Sequence, residues 1–442
     1  MRPVILHVLP VDIFSAIAII IIYLSFTDPQ FYLDTQSTAF NYSAFMKYTA
    51  ESLGNKDLKI LALTIHNYIE LQEIYGNNQM DTVIKPIRDY LQKEYPRLII
   101  FYYKPGCFAM IGDANTTSDV ILSNIIKRFK SPWICAKTEV YLTARGVSLD
   151  SDIEFHSANE LAKVLNYAIE KAETLENTSI LYVDEKDQEI CNRKSKVKKY
   201  LEHAVEHNQV QVYLQPIVST KTGKVEGAEA LCRIFDDEGK MISPLDFIPL
   251  AEKNGQIIRL GEQVFEKTCR FISEHSPEIS SLKWVNVNLS PLQFFKRDLA
   301  NSFLQIAENY HVAPSMIHLE ITEENMIDYA LFSKQILALT GKGFCFVLDD
   351  YGTGYSNLDR LTQCPFINIK LDRTVVMDYH NNSKVLLPHL VDAFKQIGFS
   401  ITAEGIETTE MAESMAELGC DYLQGFLYSR PIPMEEFVEK YS

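Results

Sequence analysis

The sequence predicts an α/β protein: a C-terminal (β/α)8 TIM-like barrel, preceded by a smaller α/β domain and an apolar N-terminal helix. Two observations predict the barrel. Eight short apolar runs between Gln211 and Ser429 read as buried strands: QVYLQPIV, VEGAEALCRI, KWVNVNLS, IHLEITE, FCFVLDD, FINIKLD, SITAEGIE and YLQGFLYS. Most are separated by segments of helical periodicity, such as SKVLLPHLVDAFKQIG after the sixth, and such alternation implies a largely parallel sheet. Eight units match the size of a closed barrel. The second observation is that every run ends at, or carries, a polar group. In order these are Gln215, Glu229, Asn288, Glu320, the pair Asp349–Asp350, Lys370, Glu404 and Gln424. Chemistry in such barrels sits at the carboxyl ends of the strands, so these groups would converge on one mouth. An acid-lined mouth of this kind describes a metal-dependent site.

The whole-chain numbers agree. The 442 residues are enough for two or three domains with proper cores, and 47% hydrophobic with 23% charged residues is ordinary for a globular protein. A formal net charge of −16 leaves no basic stripe to displace phosphate counterions, which excludes a protein that coats a nucleic-acid polymer. A phosphate ester can still bind where metals and a local Arg or Lys reverse the field. The eight cysteines (107, 135, 191, 232, 269, 345, 364 and 420) are scattered without a C-x-x-C pair, and several lie inside apolar runs. They read as reduced core residues rather than disulfides.

Taken in order, residues 1–33 hold the one segment suited to a different solvent. Ile13–Phe26 is uncharged, and extending back to Val4 adds only His7 and Asp12 as polar breaks. The longer window meets the ~20 residues of a spanning helix. Arg2 is the sole basic residue before Lys47, and no small-residue cleavage site follows, which argues against a secretory leader. A membrane anchor, alone or as the last helix of a longer membrane region, is the favoured reading; a helix packed on the soluble part is the alternative. Residues 34–185 form the smaller α/β domain. Its strands are KILALTI, RLIIFYY, CFAMIG and EVYLTARGVSL; its longer helices are YIELQEIYGNNQMDTVIKPIRDYLQ and ANELAKVLNYAIEKAETLE. Residues 186–208 are a charged linker helix with apolar Val197, Leu201 and Val205 at helical spacing. Its RKSKVKK cluster reads as a solvated helix face rather than a phosphate- or membrane-binding patch.

The first domain resembles the GGDEF family of diguanylate cyclases. LDTQSTAFNYSAF keeps Asp34, Asn41 and Phe45 of that family's opening motif, and Tyr75, Gly76 and Asp81 also match. The naming hairpin, however, is Lys104–Phe108 (KPGCF), and the upstream metal-binding acids are Thr64 and His66. Neither is the hard carboxylate that Mg2+ prefers. With no R-x-x-D inhibitory motif either, the resemblance implies a degenerate domain kept for regulation or dimerisation. Residues 193–442 resemble the EAL family of cyclic di-GMP phosphodiesterases along their whole length. The signature is EALCR at Glu229–Arg233, in sequence with YLQPIV, FIPLAEKNG, VNVNLS, LEITEE, LDDYGTGYSNL, IKLD, AEGIE and LQGFLYSRP.

That second resemblance implies hydrolysis of cyclic di-GMP to linear pGpG with two Mg2+ or Mn2+ ions. Two such cations activate a bridging water and clamp the phosphoryl oxygens, and hard cations of this kind take carboxylate and amide oxygens. Glu229, Asn288, Glu320 and Asp349 would hold one ion, with Asp349 bridging to a second held by Asp350 and Glu404. Lys370 would orient the attacking water, and Glu404 resembles the general base. A Lys in so apolar a strand is costly unless anions surround it. Gln215, Leu231, Arg233, Ser290, Gln424 and Pro431 would contact the guanine bases and phosphates, while Glu323 and Glu407 would hold the DDYGTGYSNL loop. Adjacent Asp349 and Asp350 face opposite ways in an extended chain, so the strand is expected to end there. Two departures, Tyr351 for the usual Phe and Ser219 for the usual Asp, remove no ligand. The family further implies a homodimer, and the substrate implies catalytic domains facing the cytosol from the cytoplasmic membrane. The alternative is a catalytically silent cyclic di-GMP receptor; retention of all the metal acids favours the enzyme.

Overall fold

The computed structural model describes residues 31–53, 58–113, 115–135, 138–149, 153–175, 178–323, 329–353, 361, 364–381 and 386–442. Among them no helix is long and apolar enough to cross a membrane, and the N-terminal apolar segment lies outside the described residues. The chain divides into two compact units, Met1–Lys194 and Ser195–Ser442.

The first unit runs α1 (Tyr42–Ser52), β1 (Lys59–Ile65), α2 (Tyr68–Tyr75), α3 (Asn77–Glu94), β2 (Ile99–Lys104), β3 (Cys107–Gly112), α4 (Ser118–Phe129), the hairpin β4 (Trp133–Cys135) and β5 (Thr138–Val140), β6 (Ala144–Leu149), α5 (Ala158–Thr174), β7 (Ile180–Val183) and the start of α6 (Glu185–Glu206). Its five-stranded sheet has the order β2-β3-β1-β6-β7. Strand alternation sorts β1 onto two cores. Leu61 and Leu63 meet Val83 and Ile87 of α3 and Leu122 and Ile125 of α4; Ile60 and Ala62 meet Phe45 of α1 and Leu161 and Leu165 of α5. Two sequence expectations need correcting. The long segment from Tyr68 breaks into α2 and α3 at Gly76, whose φ of 84° only glycine adopts without strain. EVYLTARGVSL is two strands, β5 and β6, which pair with different partners.

The second unit follows with β8 (Gln211–Ser219), β9 (Val225–Phe235), β10 (Met241–Ile242), α7 (Pro244–Lys253), α8 (Ile257–His275), β11 (Trp284–Asn288), α9 (Leu299–Asn309), β12 (Ile317–Thr322), α10 (Tyr329–Gly341), β13 (Cys345–Tyr351), β14 (Phe366–Leu371), α11 (Arg373–Asn381), α12 (Leu386–Ile397), β15 (Ser400–Ala403), α13 (Thr409–Leu418), β16 (Tyr422–Leu423), β17 (Ile432–Pro433) and α14 (Met434–Tyr441). Strands β8, β9 and β11–β16 close an eight-membered ring. Helix α8 shows why the ring is covered: Leu260, Val264, Phe265, Cys269 and Ile272 recur on one face and are buried. Phe265 there stacks on Phe303 of α9 with centroids 4.0 Å apart.

The ring departs from the expected pattern at two places that shape the site. Strand β8 is antiparallel to both β9 and β16. The five residues Thr220–Lys224 between β8 and β9 are too few for a parallel crossover, which takes a dozen or more. Gln215 and Glu229 therefore face each other as a cross-strand pair inside long strands rather than at strand ends. Strand β13, expected to stop at the paired acids, runs on to Tyr351. Its register against β14 slips between Leu348 and Tyr351, and Asp350 takes the left-handed φ of 55°. This irregularity lets successive residues aim at one mouth, where strict alternation would send them apart.

Candidate active site

Lys370, in the buried stretch of β14, is the centre of the site. Its Nζ lies 3.1 Å from Glu229 Oε2, 2.8 Å from Glu320 Oε1, 3.0 Å from Asp349 Oδ1 and 2.8 Å from Glu404 Oε1. Those four acids come from β9, β12, β13 and the turn after β15, so the ring itself brings them together. Burial alone would discharge the ammonium, but Asp349, Glu229, Glu320 and Glu404 outweigh it and hold the Lys370 pKa well above its usual value. The acids respond unequally. Burial, then neighbouring charges, pushes Glu404 up to about 8 and Asp350 up to about 6; Glu320 and Asp349 are raised for the same reasons. Glu229 alone is lowered: despite burial, Lys370, Gln424 and Asn288 stabilise its charged form.

A web of amides fixes Glu229. Asn288 Nδ2 donates to its Oε1 at 3.0 Å, and Gln424 Nε2 to its Oε2 at 2.7 Å. Gln424 also donates to Gln215 Oε1, whose own Nε2 donates to the Ser429 carbonyl at 3.1 Å. The carboxylates form two overlapping triads, Glu229–Glu320–Asp349 and Asp349–Asp350–Glu404, with one oxygen of each residue within 4.8 Å of the others. Five carboxylates face one ammonium, and Glu320 Oε2 is buried with no hydrogen-bond partner. This donor set, all hard oxygens with an excess of negative charge and a shared Asp349, fits a pair of divalent cations.

Two cavities flank the triads and share Glu229 and Leu231. A mainly apolar one of about 410 Å³ is walled by Ile248, Ile257, Leu260 and Val264 and includes Arg233 and Ser290. A polar one of about 260 Å³ holds Gln215, Glu404, Glu407, Gln424 and Phe426. Arg233 bonds the Cys232 carbonyl and lies over the Tyr213 ring, and the Ser290 hydroxyl donates to Glu252. Pro431 lines neither cavity. Glu323 Oε2 accepts from the Gly352 amide at 2.9 Å, which ties it to the segment after the paired acids. Glu407 pairs with Arg373, and the DDYGTGYSNL loop it was expected to hold, Asp349–Leu358, lies outside the described residues from 354 on.

Sequence reasoning missed Asn286, whose Nδ2 donates to Glu320 Oε1 at 2.6 Å, and Glu252, the partner of Ser290. Asn286 carried a readable signal. It stands two residues before Asn288, as Asn368 and Thr402 stand two before Lys370 and Glu404, so period-two alternation places a second polar layer inside the ring. Thr402 Oγ1 donates to Asn368 Oδ1 across that layer.

The first unit holds no comparable cluster among its described residues. The Thr64 hydroxyl donates to Glu173, His66 is exposed, and Lys104–Cys107 forms a tight β2–β3 turn.

Fold and site together define a barrel protein with a carboxylate-rich mouth. The chain belongs to the EAL domain family, whose family model matches residues 198–431. Among curated proteins it is similar to the signaling protein YkoW of Bacillus subtilis, 30% identical over 338 residues, covering 74% of this chain and 42% of that protein. A solved structure of the MucR phosphodiesterase in complex with c-di-GMP, of Pseudomonas aeruginosa, is 32% identical with a TM-score of 0.50, covering 55% of this chain and 99% of that one. The S helix-GGDEF-EAL structure of Vibrio cholerae LapD shares the fold over 94% of this chain and 99% of that one, with a TM-score of 0.52 at 18% identity. The chain spans 30% to 56% of the length of the first curated relatives it matches.

Proposed function

We propose that the chain hydrolyses cyclic di-GMP to linear pGpG with two Mg2+ or Mn2+ ions. The observation that carries the reading is the complete set of acids gathered around Lys370, with Glu320 Oε2 left unpartnered. Glu229, Asn288, Glu320 and Asp349 would hold one ion, and Asp349, Asp350 and Glu404 the other. When bound, such ions polarise water and neutralise the phosphoryl oxygens. The residues supply the rest. The two cavities take the two halves of the dinucleotide, the apolar one suiting a base. Lys370, whose raised pKa keeps it a donor, orients the water. Glu404 Oε1 accepts the proton as one P–O bond of the ring opens and one water is incorporated. The resemblance of the MucR structure, by its title a phosphodiesterase bound to c-di-GMP, supports this substrate.

The first unit, with Thr64, His66 and KPGCF in place of the cyclase groups, is proposed to make no cyclic di-GMP and to serve regulation or dimerisation. A homodimer, and attachment through residues 1–33 to the cytoplasmic membrane with both units in the cytosol, complete the reading. The test is incubation of the protein with cyclic di-GMP and Mg2+, with chromatography of the products. Appearance of pGpG is expected. Tight binding without turnover would replace the enzyme with a receptor.

A further inference from the structure

A ligand with two phosphate charges must enter a mouth that already carries five carboxylates, so the cations facing the cavities decide where it rests. Lys370 has three N–H donors and four carboxylates to satisfy. Among the described residues lining the two cavities, the remaining cations are Arg233 on the apolar side and Arg373 on the polar side. Arg373 opens α11, three residues after Lys370, and two features hold it in place. Its stem lies across Gly405, where φ is 66° and an added Cβ would come within 2.4 Å of Arg373 Cγ. Its Nη2 pairs with Glu407 Oε1 at 2.8 Å.

As a stability device that pair is poor, because the side chains are 55% and 39% exposed and such pairs contribute little. As an orienting device it is well made. One edge of the guanidinium is committed to Glu407, and among the described residues its other donors have no protein partner, which leaves a fork for an anion.

We infer that Arg373 binds a phosphate of the substrate in the polar cavity, and that Glu407 is a positioning residue acting through it. This rests on the reading of the chain as a cyclic di-GMP phosphodiesterase. Glu407 thereby takes a different role from holding the loop after Asp350.

Arg373→Met, which keeps the stem over Gly405 and removes the charge, should raise KM about ten- to a hundredfold, the span of a charge-assisted hydrogen bond, with kcat little changed. Glu407→Gln should raise KM less, and should add nothing in the Arg373→Met background. Calorimetric titration with cyclic di-GMP in Ca2+ reads affinity apart from turnover, and the same loss is expected there. Unchanged KM and affinity in Arg373→Met would overturn the inference, as would a kcat loss from Glu407→Gln that is equal in both backgrounds. A wild-type chain that binds but does not turn over, with Arg373→Met binding weakly, would support the inference and remove only the phosphodiesterase reading. A wild-type chain that neither binds nor hydrolyses would overturn both.

Discussion

Replacing Lys370 by Met removes the cation from the centre of four carboxylates, of which Glu229, Glu320 and Asp349 are buried and Glu404 is partly exposed. Each of those carboxylates lies within 2.8–3.1 Å of the ammonium, and Lys370 itself is 1% exposed. Removing one partner of a buried ion network costs about 3–5 kcal/mol. For a unit of this size ~1 kcal/mol moves Tm by ~2–4 °C, so the barrel should melt on the order of 6–20 °C lower in chelator. The deficit should widen with pH. Without the ammonium, Glu229 loses the cation that lowers it, and Glu320, Asp349 and Glu404, already raised, rise further above their unfolded values. Such groups favour the folded state at low pH, and lose that advantage as pH climbs toward the folded pKa. Mg2+ should raise the Tm of the variant more than that of the wild type, since a more negative site binds the cation more tightly and stabilisation follows occupancy. Calorimetry in chelator and in Mg2+, at pH 6 and pH 8, reads all three effects. A variant that melts within about 2 °C of wild type in chelator at pH 8 would refute the network as described.

Asp349→Asn should abolish pGpG formation while leaving Tm unchanged or slightly raised, because it removes one like charge from a crowded site. Near-normal turnover in Mg2+ would remove Asp349 as the bridging ligand. Burial lowers the His318 pKa from 6.5 to about 4, so its contribution is fully present above 6.5 and is lost as pH falls toward 4. The acid limb of a Tm profile should carry up to roughly 3 kcal/mol of this loss and flatten in His318→Gln. Gly425→Ala would place a Cβ 2.1 Å from the Ile406 carbonyl oxygen, a backbone atom that cannot swing away. It should destabilise by about 1–3 kcal/mol and disturb Glu404, checked by melting and turnover together.

Much of the site was legible because a barrel converts sequence spacing into spatial convergence. Apolar runs that form the strands of a barrel leave the polar group on each one place to go. What was not legible depended on local backbone geometry. Nothing in FCFVLDDY signals that Asp350 turns left-handed within the strand, since that requires knowing how β14 pairs beside it. The direction of β8 is legible in principle, because a five-residue connection forbids a crossover, although the alternating pattern of the later strands implies a parallel sheet. Glu407 shows the same limit. Its neighbourhood in AEGIE says nothing of Arg373, which reaches it from the start of α11, just past the adjacent strand β14.

The ring is not equally sewn all the way round. Strand β8 pairs with β9 over eight residue pairs, but with β16 over two, Tyr422↔Ser219 and Leu423↔Val218. At this short seam the side chains act as stitching: Gln424 reaches Gln215, and the Thr220 hydroxyl donates to the Cys420 carbonyl. Local opening should therefore begin here, and amide protons along the β8–β16 edge should exchange with solvent well before those of β13 and β14. The seam runs directly beneath the residues facing the polar cavity. A ligand resting on both Gln215 and Gln424 would bridge the gap and slow that exchange, so that occupancy of the mouth would be written into the breathing of the barrel wall.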